Sequence, residues 1–185
     1  NTDQYYSYDQ AKAKALLAEA GLPNGFKTTI KTGVGTSYHR PFAEVIQSEL
    51  KKIGVEVEIV AQDGSVSVKD WNSGNFDMYP IRWWGSDFID PDGALRPLFT
   101  CKGSYNNSRL CDNTFDDLIV KGLATTAPDA RKQVYHDAMQ ELAAQQPWVF
   151  LVAFDRFQAM KANVAGYVAY PNASQYGFRG TWLDK

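Results

Sequence analysis

Apolar and polar residues alternate in two rhythms along this chain, and each change of rhythm marks an element. Over residues 8–20, Ala13, Leu16, Leu17 and Ala20 recur at helical spacing, with Asp9 placed to cap the start and Gly21 to end it. Residues 22–25, Leu-Pro-Asn-Gly, read as a turn. Phe26, Thr28 and Ile30 then alternate with lysines and Thr29, the period of a half-exposed strand. After a loop ending at Tyr38, Pro41 is expected as a first helical residue. Phe42, Val45, Ile46, Leu50 and Ile53 return to helical spacing until Gly54. Val55, Val57 and Ile59 alternate with Glu56 and Glu58 as a second strand. A short amphipathic piece over residues 66–71 and a third strand over residues 76–83 follow.

From residue 84 to residue 113 neither rhythm holds, and Pro, Gly and Asp accumulate. A stretch of that length is expected to carry function rather than regular structure. Helices are predicted over residues 114–124, on Leu118, Ile119 and Leu123, and over residues 128–145, on Val134, Ala138 and Leu142. The run over residues 148–154 has the composition of a buried strand, and residues 158–162 offer another. Residues 167–185 form an aromatic, turn-rich tail. Strand, helix, strand, helix, strand in this order predicts an α/β sandwich, and no internal repeat is present.

Composition narrows the function. The 185 residues are 44% hydrophobic and 22% charged, as in ordinary globular chains, and the net charge of −2 comes without a basic stripe. Nucleic acid is therefore not an expected partner. No apolar run reaches the ~20 residues of a membrane helix. The opening, Asn1-Thr-Asp-Gln-Tyr-Tyr6, is polar and aromatic without an initiator Met, and reads as the middle of a longer chain. Aromatics reach 14%, enough for a large core or for a cleft that grips organic molecules.

Candidate catalytic groups are sparse. The two histidines, His39 in a loop and His136 in a helix, have no metal-ligand partner at a usable spacing, so no metal or cofactor is expected. A Cys111–His136 dyad competes with a surface histidine and with a disulfide. The two cysteines, Cys101 and Cys111, flank a polar, turn-rich segment; from spacing alone they are either bonded, as in an oxidising compartment, or free. Gly33-Val-Gly35 lacks the third glycine and the Lys-Ser/Thr of a phosphate loop. Asp87, Asp90 and Asp92 cluster as a hydrolase pair would, but Asp90-Pro-Asp-Gly93 is equally good turn chemistry. The densest signal is Ile81-Arg-Trp-Trp-Gly-Ser-Asp87, a strand ending in two tryptophans and an acid. Ligands gather where strands of open α/β sheets end. A tryptophan there gives a flat apolar wall, and a shielded carboxylate anchors a cation. Of Trp83 and Trp84, one is expected in the core, because neighbouring strand residues face opposite ways.

Here the sequence resembles the extracellular solute-binding family 5, the dipeptide-, oligopeptide- and nickel-binding receptors. The likeness runs through Tyr8-Asp-Gln-Ala-Lys-Ala-Lys-Ala-Leu-Leu-Ala-Glu-Ala-Gly21, then Ala43 to Gln47 and Leu50 to Glu58. It continues through Phe76-Asp77, Trp84-Gly-Ser-Asp87, Asp90-Pro-Asp92, and Arg131 to Tyr135. The resemblance implies lobe II of a type II periplasmic binding protein, a three-layer α/β sandwich with a mixed sheet. Residues 1–166 would form the ligand-binding lobe, with the tail returning toward a missing N-terminal lobe. It implies a substrate-binding component of an ABC importer, not an enzyme, working outside the cytoplasm, free or lipid-anchored. Its partners would be a small-molecule or peptide ligand and the permease subunits. Asp87 would hold a ligand's amino group, with Trp84 beside it; Trp83, Gly85 and Tyr38 are further candidate ligand contacts. The resemblance also favours a Cys101–Cys111 disulfide. One departure leaves the ligand open: dipeptide binders carry an arginine in the loop corresponding to residues 32–36, which here reads Thr-Gly-Val-Gly-Thr. Oligosaccharides, opine-like compounds and nickel complexes therefore stand as alternatives to a peptide, and a carboxylate-dependent hydrolase as a remote one.

Overall fold

Asp9 opens the first helix by accepting the Lys12 amide at 2.9 Å, which satisfies a donor that a helix start leaves without a partner. The computed structural model describes residues 7–83, 90–153, 155, 157–170 and 175–184. Helix α1 spans Gln10–Glu19, and Gly21, at φ 79°, follows its end. Leu16 stays exposed, while Leu17 packs against the core beneath. The chain divides into two compact units, Asn1–Arg82 and Trp83–Lys185.

In the first unit, β1 (Lys27–Gly33) pairs in parallel with β2 (Glu56–Gln62), Ile30 opposite Ile59 and Gly33 opposite Gln62. Helix α2 (His39–Lys51) connects them, as a parallel pair requires. It begins two residues before Pro41, which still lies in the first turn, where a missing amide costs nothing. Ile30, Ala43, Val55 and Val57 form the core, with Ile46, Leu50 and Ile53 packed against it; Val45 falls off this face and is exposed. Successive strand residues face opposite ways. Ile30 lies under α2, and Lys31 meets Asp70 of α3 (Gly64–Ser73) at 2.8 Å. This unit is therefore layered helix, sheet, helix, and the expected α/β class is what the chain forms.

Helix α3 buries Ser67, Asp70 and Trp71 and exposes Val66 and Val68, so its inward face is largely polar. Asp70 also accepts from Gln62 at 2.7 Å and from Asn75 at 3.0 Å. The bond from Lys31, then those from Gln62 and Asn75, hold its carboxyl well below the usual carboxylate range. The expected third strand over residues 76–83 is reduced to one parallel bridge, Ile30 to Met78. Asp77 is the reason. Its carboxylate takes the Thr29 amide at 3.0 Å, together with the Thr28 and Thr29 hydroxyls, and so occupies a donor that a longer ladder would use.

The second unit holds α4 (Asp92–Phe99), α5 (Asn113–Ala124) and α6 (Pro128–Gln145). Asp112 caps α5 by accepting from Thr114 and Phe115; Pro128 opens α6. Leu95, Leu98, Phe99, Phe115, Ile119, Tyr135, Ala138 and Leu142 make the core. Helix α4 lies inside the stretch expected to be irregular. Pro97 disguises it, but Leu95, Leu98 and Phe99 are spaced for one helical face and all are buried, and that burial outweighs the lost hydrogen bond. Cys101 and Cys111 are bonded to each other. Asn106 braces the loop they close, donating to the carbonyls of Thr100 and Leu110.

The apolar run over residues 148–154 is not a buried strand. Val149, Phe150, Leu151 and Val152 are exposed, and Phe154 lies outside the described residues. A strand needs a neighbour to take its amides. Among the described residues of this unit the one ladder is antiparallel, between β3 (Val164–Ala165) and β4 (Trp182–Leu183). Nor do residues 158–162 form a strand. No helix among the described residues is long and apolar enough to cross a membrane.

Candidate functional site

Because β1 and β2 run parallel, both end at the same edge of the first unit, the edge where α/β sheets collect ligands. Tyr38, predicted as a ligand contact, stands there. It caps the loop of residues 34–37 and is half-buried. Its ring meets His39 edge-on at 4.8 Å and Phe42 at 6.1 Å. Burial raises the Tyr38 phenol above its ordinary value, while the charge of Arg82 and a hydrogen bond with its backbone pull it back.

His39, expected in a loop, is instead the first residue of α2 and 4% exposed. Its Nδ1 accepts the Gly33 amide at 2.9 Å, which puts the ring proton of the neutral imidazole on Nε2. Tyr79 closes its other side at 5.4 Å, and the Tyr79 hydroxyl is hydrogen-bonded to Ser67 Oγ at 2.6 Å. Burial lowers the imidazole pKa. Nothing in the spacing of the sequence could have paired His39 with Gly33, since the bond depends on the turn between them.

In the second unit, Trp83 packs against the α4–α6 core, with its ring 5.4 Å from Tyr105. Trp83 thus joins the core. Trp84, Gly85 and Asp87 lie outside the described residues. Beyond them, Asp90 is clamped by both terminal nitrogens of Arg131, each at 3.0 Å. Arg131 also donates to the Gly122 carbonyl and to the Tyr135 hydroxyl, each at 3.1 Å. Its hydrogen bond holds the Asp90 carboxyl below its ordinary value. Asp92 donates its amide to Asp90 and pairs with Arg96 at 2.9 Å. Asp90 and Asp92 are therefore engaged as cap and ion-pair residues, as the turn reading expects. The Cys111–His136 dyad is excluded because Cys111 is in the disulfide; His136 lies exposed beside Gln140. Among the described residues, no three His, Cys, Asp or Glu side chains come together as a metal site.

The family profile described as "Bacterial extracellular solute-binding proteins, family 5 Middle" matches residues 1–106. The dipeptide-binding protein of Escherichia coli is 34% identical over 175 residues, covering 91% of this chain and 32% of that protein. Heme-binding protein A of Haemophilus influenzae is 34% identical over 174 residues, covering 91% of this chain and 32% of that one. The oligopeptide-binding protein AppA of Bacillus subtilis, solved with a nonapeptide, superposes with a TM-score of 0.82 at 28% identity. That match covers 97% of this chain and 38% of AppA. The chain thus spans about a third of the length of the curated relatives it matches.

Proposed function

The chain belongs to the bacterial extracellular solute-binding proteins of family 5, and on that premise we propose that it is part of a receptor that captures a small solute, most simply a peptide, and delivers it to the permease of an ABC importer. The observation that carries this reading is the likeness to the Escherichia coli dipeptide-binding protein across 91% of the chain. The nonapeptide bound to AppA supports the same ligand class. The family and these relatives are solute-binding proteins, which favours binding without turnover. The receptor works outside the cytoplasm. Residues 1–166 serve as its ligand-binding lobe, and residues 167–185 return toward a first lobe. The exposed apolar side chains of Tyr176, Phe178, Trp182 and Leu183 support a covering partner for that tail.

Asp87 holds the ligand's amino group by a charge-assisted hydrogen bond, and Trp84 supplies the apolar wall that keeps water from it. Gly85, Trp83 and Tyr38 are the further ligand contacts. Arginine is absent from residues 32–36, so the ligand's other end is held elsewhere.

The test is the melting temperature of the full-length protein in the presence of di- to pentapeptides, hemin, oligosaccharides, opine-like compounds and nickel chelates. A ligand that binds only the native state raises it. The expected result is a shift with peptides that disappears when their amino terminus is acetylated. Asp87→Ala should weaken peptide binding by about 2–5 kcal/mol. A shift confined to the other compounds keeps the receptor and discards the peptide. Normal binding by Asp87→Ala discards the anchor.

A further inference from the structure

We infer that His39 is a positioning residue for the loop that ends on Tyr38, acting through the Nδ1 bond that fastens the Gly33 amide. The inference rests on the reading of Tyr38 as a ligand contact. Gly33 is the last residue of β1, and its neighbour Val34 still donates to the Gln62 carbonyl of β2 at 2.8 Å. The Gly33 amide itself turns to His39, six positions along, at 2.9 Å. That bond closes the turn. Inside it, Gly35 takes φ 87°, Thr36 donates to the Gly33 carbonyl at a long 3.3 Å, and His39 donates to the Thr36 carbonyl at 3.1 Å. There is no slack around the joint, because a Cβ on Gly33 would lie 3.0 Å from Ser67 Oγ and 3.5 Å from His39 Nδ1.

The joint needs a neutral imidazole. A protonated ring carries a hydrogen on Nδ1, which then faces the Gly33 N–H donor to donor. The Tyr38 and Tyr79 rings pack on the imidazole, Ser67 is bonded to Tyr79, and Arg82 interacts with the Tyr38 phenol. The charged pair on the neighbouring elements, Lys31 with Asp70, is mutually satisfied. Burial alone sets the imidazole's shift, and the shift is downward from 6.5. A depressed pKa means that the neutral, fastened state is complete above about pH 6.5. It is lost as pH falls through the folded-state value, and the loop with Tyr38 is released.

The experiment is amide hydrogen exchange at Gly33 in the full-length protein between about pH 7 and about pH 5, where a peptide's amino group stays protonated, with the Glu56 amide, bonded to the Phe26 carbonyl at 2.8 Å, as reference. Trialanine affinity is measured at the same pH values. His39→Asn offers a carbonyl oxygen near the place of Nδ1 and does not titrate; His39→Phe keeps a ring without the acceptor. In the wild type, Gly33 protection and trialanine affinity should both fall about tenfold with acid, relative to the reference. In His39→Asn both should stay level, and in His39→Phe both should be low at every pH. Gly33 protection indifferent to pH, or a His39→Asn profile that follows the wild type, overturns the assignment. So does a Gly33 response that leaves trialanine affinity unmoved. If trialanine binds at no pH, the peptide reading has failed, and the Gly33 profiles of wild type and His39→Asn alone decide the role of His39. Those two proteins also suffice if His39→Phe does not fold.

Discussion

Asp70 accepts hydrogen bonds from three places that are distant in sequence: Lys31 of β1, Gln62 of β2 and Asn75 beyond α3. One buried carboxylate thereby ties three elements of the first unit together. Its pKa is depressed from the ordinary 3.8, chiefly by the Lys31 bond. The unfolded chain therefore binds its proton first as acid is added, and the stabilisation is complete above about pH 4 and lost as pH falls through the folded value. Urea midpoints taken from neutral pH down into acid should drop most steeply below about pH 4. Asp70→Asn should lower the neutral midpoint, because Lys31 loses its countercharge and keeps only neutral acceptors, and flatten the acid limb. A variant with the wild-type acid limb would show that other carboxylates carry the effect.

At the scale of elements, α5 and α6 approach through a glycine. A Cβ at Gly122 would come within 2.8 Å of the Tyr135 ring, and that ring is buried and tied to Arg131. Two effects compete in Gly122→Ala. Helix propensity favours alanine by up to about 1 kcal/mol, while overpacking of a held ring costs about 1–3 kcal/mol. The second is the larger, so thermal or urea denaturation should show a net loss of about 1 kcal/mol; a gain would mean that Tyr135 yields. The same scale explains which elements the sequence revealed. Helix α1 announces itself by the Asp9 cap and its apolar spacing, and α5 and α6 by apolar spacing within a few residues. Helix α4 does not, because Pro97 sits inside it. The third strand and the run over residues 148–154 were misjudged for a different reason. A strand's amides are satisfied by another segment, and apolar composition says neither whether that segment is there nor whether a side chain such as Asp77 already takes its donors.

Across the whole molecule, the Cys101–Cys111 bond closes a loop of sequence separation 10 between α4 and α5. In the chain-entropy picture such a loop contributes about 2–3 kcal/mol by restricting the unfolded state. Denaturation with and without reductant should differ by that amount, and Cys101→Ser with Cys111→Ser should reproduce the reduced value. No difference would mean that Asn106 and the packing of Phe99 and Phe115 hold the loop unaided. The bond also fits a protein of an oxidising compartment, in keeping with an extracellular solute-binding family.

What the sequence determined by itself is local or compositional. The βαβ arrangement of the first unit, the two long helices of the second and the family signature around Trp84 and Asp87 are written in neighbouring residues. Hydrophobic period and capping act over a few positions. Tertiary structure decided the rest. It buried the polar face of α3 against Lys31 and Gln62, turned Asp77 onto Thr29 in place of a ladder, and brought Arg131 to Asp90 across 41 positions. It also took His39 out of its expected loop and set it on Gly33. Where such a group is buried or half-buried, as with Asp70, His39 and the Thr29 amide, it must find a partner or lose its hydration without return. Which partner it finds depends on chain geometry that no local pattern encodes.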